Sequence, residues 1–340
     1  MTSSQNAGIA TDGIDFTVRL VAWILFAAMV AFLLNSYLTF WLEWPGTEAL
    51  FKHFGGDERY LLSGNTLLLA WSQLLIYPLA LVAVFTFVSA GPKRSLLMDS
   101  DTFASISAFI IRAAFWSVLL VGLADMVISF MRIEEMLSGW ISEGLITQLG
   151  RPEYRSTHVH YPLIVTSMVI AYFTRSIGFH WLAILVVIAE FQIVIARFIF
   201  SYEQAFMGDL VRFWYAALFL FASSYTLIHE GHVRVDVVYA YFSDRSKAWA
   251  NAIGSLMLGV PICWIILSRG LSSKSSIISS PLLNHEISQS GFGMYTKYLM
   301  AGFLLIYAIS MMVQFISYFL RSVAVIRGAE VPQLESAPVH

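Results

Sequence analysis

The chain has 340 residues, of which 58% are hydrophobic and 12% charged, with a formal net charge of −2. A soluble domain carries about 25% charged residues, so most of this surface faces something other than water, and a mean hydropathy of +0.71 makes that medium a lipid bilayer. The same figures exclude nucleic acid as a partner, because no basic field exists, and the lone cysteine, Cys263, excludes an intrachain disulfide.

A hydrocarbon core of about 30 Å needs about 20 apolar residues per helix. Eight runs meet that need: Phe16–Trp41, Asn65–Ala90, Ser105–Met131, His160–Arg175, His180–Phe200, Asp209–His229, Ala248–Arg269 and Met294–Leu320. The expected fold is therefore all-α, a polytopic helical membrane protein of about eight transmembrane helices. The first run reads as a permanent span rather than a secretory signal. No Lys or Arg precedes Arg19, and the apolar run exceeds the usual core of about 7–15 residues. After the third run, the loop Arg132–Val159 places Ile133, Met136, Leu137, Trp140, Ile141 and Leu145 at helical spacing among acids. That pattern fits a helix lying in the membrane interface, or one packed on the protein's own loops. The stretch from His160 to Phe200 would measure roughly 60 Å as one helix, about twice the hydrocarbon thickness. A hairpin at Arg175–Phe179 resolves this and makes the span count even. Basic residues, including Arg19, Arg94, Arg175, Arg234, Arg245, Lys247 and Arg321, then favour an N-in/C-in orientation by a narrow margin. Near the C-terminus, the Ser-rich loop Leu271–Gly293 is long enough for a further short surface helix.

Ionisable groups inside a membrane are costly unless paired or hydrated. Glu190 is the deepest, and Arg197 follows seven residues later on the same helical face, so both suit contact with a partner helix or a proton relay. Asp125 and Arg112 sit toward opposite ends of the third span, about 20 Å apart, and do not pair with each other. His229–Glu230–Gly231–His232 departs from the i, i+4 spacing of a zinc helix, and no phosphate loop or nucleophile elbow occurs. Neither an enzyme activity nor a metal or other cofactor is expected. The strongest local feature is His232–Val233–Arg234–Val235–Asp236, whose His232, Arg234 and Asp236 share one side if the segment is extended. Such a cluster makes a polar clasp at a membrane-edge corner.

This segment, with Tyr225–Thr226–Leu227 before it and Val237 after it, resembles the signature of the small membrane subunit of tripartite ATP-independent periplasmic (TRAP) transporters. Arg197–Phe198–Ile199–Phe200–Ser201 is similar to the aromatic-flanked arginine that closes that family's first helix. Asp209–Leu210 falls where the family usually has Glu–Leu. The resemblance covers about residues 180–328, a four-helix core. It implies a domain plan of a membrane extension over residues 1–159 and a small-subunit-like membrane domain over residues 160–340. It also implies a scaffold without turnover of its own, in a bacterial inner membrane. Its partners would be a large membrane subunit, which performs sodium-coupled movement of a carboxylate-type solute, and a periplasmic binding protein that delivers the solute. His232, Arg234 and Asp236 would form a cytoplasmic contact motif, with Glu190, Arg197 and Asp209 as intramembrane polar anchors. The rival reading is a self-sufficient proton-coupled carrier or channel using Glu190 and Asp125.

Overall fold

The computed structural model describes residues 13–56, 58–91, 94–174, 180–228, 239, 241–287 and 293–329, and no strand occurs among them. In chain order come α1 (Gly13–Phe40), α2 (Gly46–Phe54), α3 (Asn65–Ala90) and α4 (Leu96–Ile133). Two short helices follow, α5 (Glu143–Leu149) and α6 (Pro152–Arg155), then α7 (Tyr161–Phe173), α8 (His180–Phe200) and α9 (Ala205–Ile228). The described chain closes with α10 (Asp244–Gly254), α11 (Val260–Gly270), α12 (Ser279–Leu283) and α13 (Lys297–Ile326). The class is the all-α polytopic one that composition and span length predict.

Seven described helices are long and apolar enough to cross a membrane, α10 and α11 counting as one continuous run, Asp244–Gly270. The expected eighth span, His160–Arg175, is the exception. Its helix α7 has 13 residues, and the helical turns before it carry Ser156, Thr157, His158 and His160, which lower its apolarity. The hairpin expected at Arg175–Phe179 lies outside the described residues. Two further expectations are corrected. Helix α4 begins at Leu96 rather than near Ser105, because its first turns include Asp99, a charge that hydropathy rejects but a buried ion pair accommodates. The loop after α4 is no single amphipathic helix: Glu135 adopts a left-handed φ of 54°, and a 3-10 turn over Met136–Gly139 separates it from α5 and α6. Trp140 stands 82% exposed there while Leu137 is buried.

Two π-helical turns, Ser156–His160 and Ser255–Gly259, each end two residues before a proline, Pro162 and Pro261. Proline donates no backbone hydrogen bond and its ring collides with the carbonyl four residues earlier, so a widened turn is the local accommodation. Helix α10 begins conventionally: Ser243, in extended conformation, accepts a hydrogen bond from the Ser246 amide at 3.3 Å.

The described residues fall into two compact units, each drawing on both sides of residue 160. One lies within Met1–Ala104, Val235–Pro261 and Phe315–Gln333. Here Asp99 accepts from Arg19 Nε at 2.7 Å and from Trp23 Nε1 at 3.2 Å, and Arg19 and Asp99 are essentially without exposure. Arg94 Nε stands 3.0 Å from the other carboxylate oxygen. Buried Gln73 accepts from the Gly46 amide at 2.8 Å and donates to Asn35 and Thr39, so one amide side chain ties α1, α2 and α3 together. Ser100 and Ser317 each donate to the other's carbonyl, at 2.9 and 2.8 Å, a small-residue contact that lets α4 and α13 approach closely.

The second unit lies within Ser105–Arg234 and Ile262–Gln314. Its core is built by Phe206, Leu210, Phe213, Trp214, Ala217 and Phe221 on α9 against Val118 and Val121 on α4 and Phe303 on α13. Lipid tails are as apolar as these side chains, so the gain comes from close packing and hydrogen bonding rather than from dehydration. Gly122 shows how close: a Cβ there would lie 2.6 Å from Trp214 Nε1, which donates to the Val118 carbonyl at 3.1 Å. Ser107 adds a bond to the Ser310 carbonyl at 3.1 Å. Ser100 and Ser107 are seven apart on α4, as Ser310 and Ser317 are on α13, so both rungs fall on one face of each helix.

Candidate functional site

The densest polar constellation in the second unit surrounds Asp125 on α4. Its Oδ1 accepts from Arg155 Nη1 at 2.9 Å and faces His160 Nε2 at 3.0 Å; its Oδ2 accepts the Tyr295 amide at 2.7 Å. Asp125, Arg155 and His160 are all without solvent exposure. Arg155 also donates to Ser129 Oγ at 3.1 Å and to the Leu149 carbonyl at 3.0 Å, and its guanidinium carbon lies 3.9 Å above the Tyr295 ring. An ionised carboxylate only accepts, so His160 carries its proton on Nε2, and Tyr298 OH then donates to Nδ1 at 2.9 Å. With a neutral imidazole the cluster has one negative and one positive charge and leaves no net charge buried.

The π turn is what makes this convergence local. It brings Ser156 and His160 inward, both buried, directly after Arg155. Ser156 Oγ meets His285 Nδ1 at 2.9 Å, which draws the loop after α12 onto the same surface. Outside the membrane-spanning segments, partial burial pushes the His285 imidazole below its ordinary value, with the Glu153 carboxylate opposing the effect. Burial and a 2.7 Å bond to Glu134 push the Tyr202 phenol up to about 12.

Asp209 on α9 performs the same service one residue earlier. Its Oδ2 accepts the Met294 amide at 3.0 Å while Oδ1 takes a 3.3 Å bond from Arg212. Two carboxylates from two helices thus hold the consecutive amides of Met294 and Tyr295, just before α13 begins at Lys297. Amides near a helix start lack intrahelical acceptors, and negative charge there is favoured. The expected anchor at Asp209 is therefore an intrachain tether of the strand of chain entering α13.

Glu190 and Arg197 behave otherwise. Glu190 is exposed on α8 and has no hydrogen-bond or ion-pair partner among the described residues. Arg197, also exposed, lies 3.5 Å from Glu203 rather than from Glu190. Arg112 does not meet Asp125; its Nε approaches the Ala171 carbonyl at 3.5 Å. His232, Arg234 and Asp236 lie outside the described residues, as do the amino acids between them.

Sequence reasoning marked Asp125 but missed Arg155, His160 as its partner, Tyr295 and Tyr298. His158, two residues before His160, takes no part in the cluster; its ring stacks on Tyr154 with centroids 4.1 Å apart. The available signal was the placement of Arg155 and His160 beside Pro162, where a helix must deform.

Residues 183–325 match the family described as tripartite ATP-independent periplasmic transporters, DctQ component. The match falls within the region of resemblance at 180–328, and further apolar helices precede it. No curated protein matches the chain, and no solved structure does.

Proposed function

We propose that this chain, a TRAP small permease component over residues 183–325, is the scaffold subunit of a secondary transporter in a bacterial inner membrane. It supports a large membrane subunit in sodium-coupled uptake of a carboxylate-type solute delivered by a periplasmic binding protein. The observation that carries this reading is the family match. The side-chain chemistry supports it: Asp125, Asp209 and Asp99 are each engaged by donors of the same chain, which suits fixed joints rather than a proton path. Such engagement also disfavours the self-sufficient carrier, which needs Asp125 free to exchange a proton.

The domain plan is a four-helix small-subunit core widened by the extension over residues 1–159. An N-in/C-in arrangement requires an eighth crossing, assigned to α6, the π turn and α7. These segments of 4, 5 and 13 residues are contiguous and together run about 33 Å. In this orientation His232, Arg234 and Asp236 form a cytoplasmic contact motif.

Reconstitution in vesicles carrying an inwardly directed sodium gradient tests the assignment. Uptake of a carboxylate requires this chain, the large subunit and the binding protein together; uptake by this chain alone, driven by a proton gradient, would establish the rival. Arg234→Ala is expected to lower assembly or uptake with the solute preference unchanged. A changed preference in a normally assembled complex would contradict the contact role.

A further inference from the structure

We infer that the outward face of α8 around Glu190 is the surface on which a transmembrane helix of the large subunit docks, through a hydrogen-bond donor that this helix presents near the membrane midplane. The inference rests on the scaffold reading and assigns it a place on this chain.

Helix α8 is the least enclosed of the candidate spans. Only 11% of its apolar window is buried, against 44% for α13 and 39% for α4. Val187, Phe191, Val194 and Phe198, spaced by four, three and four residues, form one face, with exposures of 66%, 64%, 48% and 79%. Exposed aliphatic and aromatic groups alone would suit lipid. Glu190 does not: it stands beside that face, three residues after Val187 and four before Val194, and it is exposed.

Depth decides what can satisfy it. Ten residues beyond His180 place Glu190 about 15 Å along a helix of about 32 Å, close to its centre. Lipid headgroups do not reach that depth, acyl chains donate nothing, and the described part of this chain supplies no partner. Intramembrane acids characteristically face another protein segment. A second copy of this chain is a poor occupant, because a two-fold axis along the membrane normal brings the two Glu190 carboxylates to the same depth, like charge against like. A different helix, apolar along its length with a donor at mid-span, matches both the stripe and the acid.

The test uses the full chain co-expressed with the large membrane subunit of its own transporter. A photo-crosslinking side chain replaces Phe191 or Val194, with Val82 on α3 as the exposed control, and affinity capture is repeated with Glu190→Leu and Glu190→Gln. The expected result is a covalent adduct with the large subunit from positions 191 and 194 but not 82. Capture should fall about tenfold for Glu190→Leu, and less for Glu190→Gln, whose amide oxygen still accepts. Adducts with lipid alone, adducts with the large subunit only from position 82, or full capture by Glu190→Leu would overturn the assignment of this face while wild-type capture leaves the scaffold reading standing. Failure of the wild-type chain to recover a large subunit would sink the scaffold reading and this surface with it.

Discussion

Asp125 receives donors from Arg155, His160 and the Tyr295 amide, and its burial makes each of them consequential. Removing one member of a buried pair strands the other charge at a cost of about 3–5 kcal/mol, whereas removing both is far milder. Arg155→Met should therefore lower the melting temperature of the detergent-solubilised protein sharply, and adding Asp125→Asn should restore part of it; additive losses would show that the two residues do not act as a pair. His285 gives the pH-dependent counterpart. Its folded value is depressed below the ordinary 6.5, so the folded protein binds fewer protons there than the unfolded chain, and stability falls as pH drops below about 6.5. Melting curves from pH 8 to pH 5 should show a steeper acid loss for the native protein than for His285→Phe, and parallel curves would refute the linkage. At this scale the sequence was only partly legible. It marked Asp125 as a costly charge, but its partners arrive from a π turn and from the approach to α13, segments without periodicity that no pattern of apolar residues places together.

Elements were easier to read than side chains. Helices α3 and α8 occupy the expected runs, since length and apolarity alone determine a span. Where polar residues enter a helix on buried terms, as at Asp99 or through Ser156–His160, the hydropathy signal weakens and boundaries shift. Close helix contact was also invisible beforehand, because glycine and serine score as neither strongly apolar nor charged. Gly122 supplies a direct check. An added methyl would sit 2.6 Å from Trp214 Nε1, so Gly122→Ala should destabilise the protein by about 1–3 kcal/mol through overpacking. Trp214→Phe, which removes the clashing nitrogen side of the indole, should recover much of that loss in a thermal denaturation series; an unaltered melting temperature for Gly122→Ala would show that α9 yields freely.

For the whole molecule, the family match and the structural units divide the chain differently. The match covers residues 183–325, but Asp125 and Ser107 on α4 hold Tyr295 and Ser310 within one unit. The sequence separates an extension from a four-helix core because only the core carries a recognisable signature. Physical contact follows the hydrogen bonds instead. Deleting residues 1–155 removes Asp125, Arg155 and Ser107 together, leaving His160 Nε2 and the amide of Tyr295 without their acceptor in an apolar setting. The truncated protein is expected to fail to accumulate in the membrane, measured by quantitative immunoblot and size-exclusion profile. A stable, monodisperse product would mean that the extension is dispensable to the core.

The Asp125 cluster also imposes a timetable on biosynthesis. Arg155 follows Asp125 by 30 residues, but the Tyr295 amide follows it by 170. At roughly 5–20 residues per second, the arginine emerges within about 2–6 s and the amide only after about 9–34 s. During that interval Asp125 has its ion-pair partner but not its final donor, and the helices α7, α8, α9, α10 and α11 must enter the bilayer around a joint that is charge-balanced and still open. Completion of the last helix is the event that locks it.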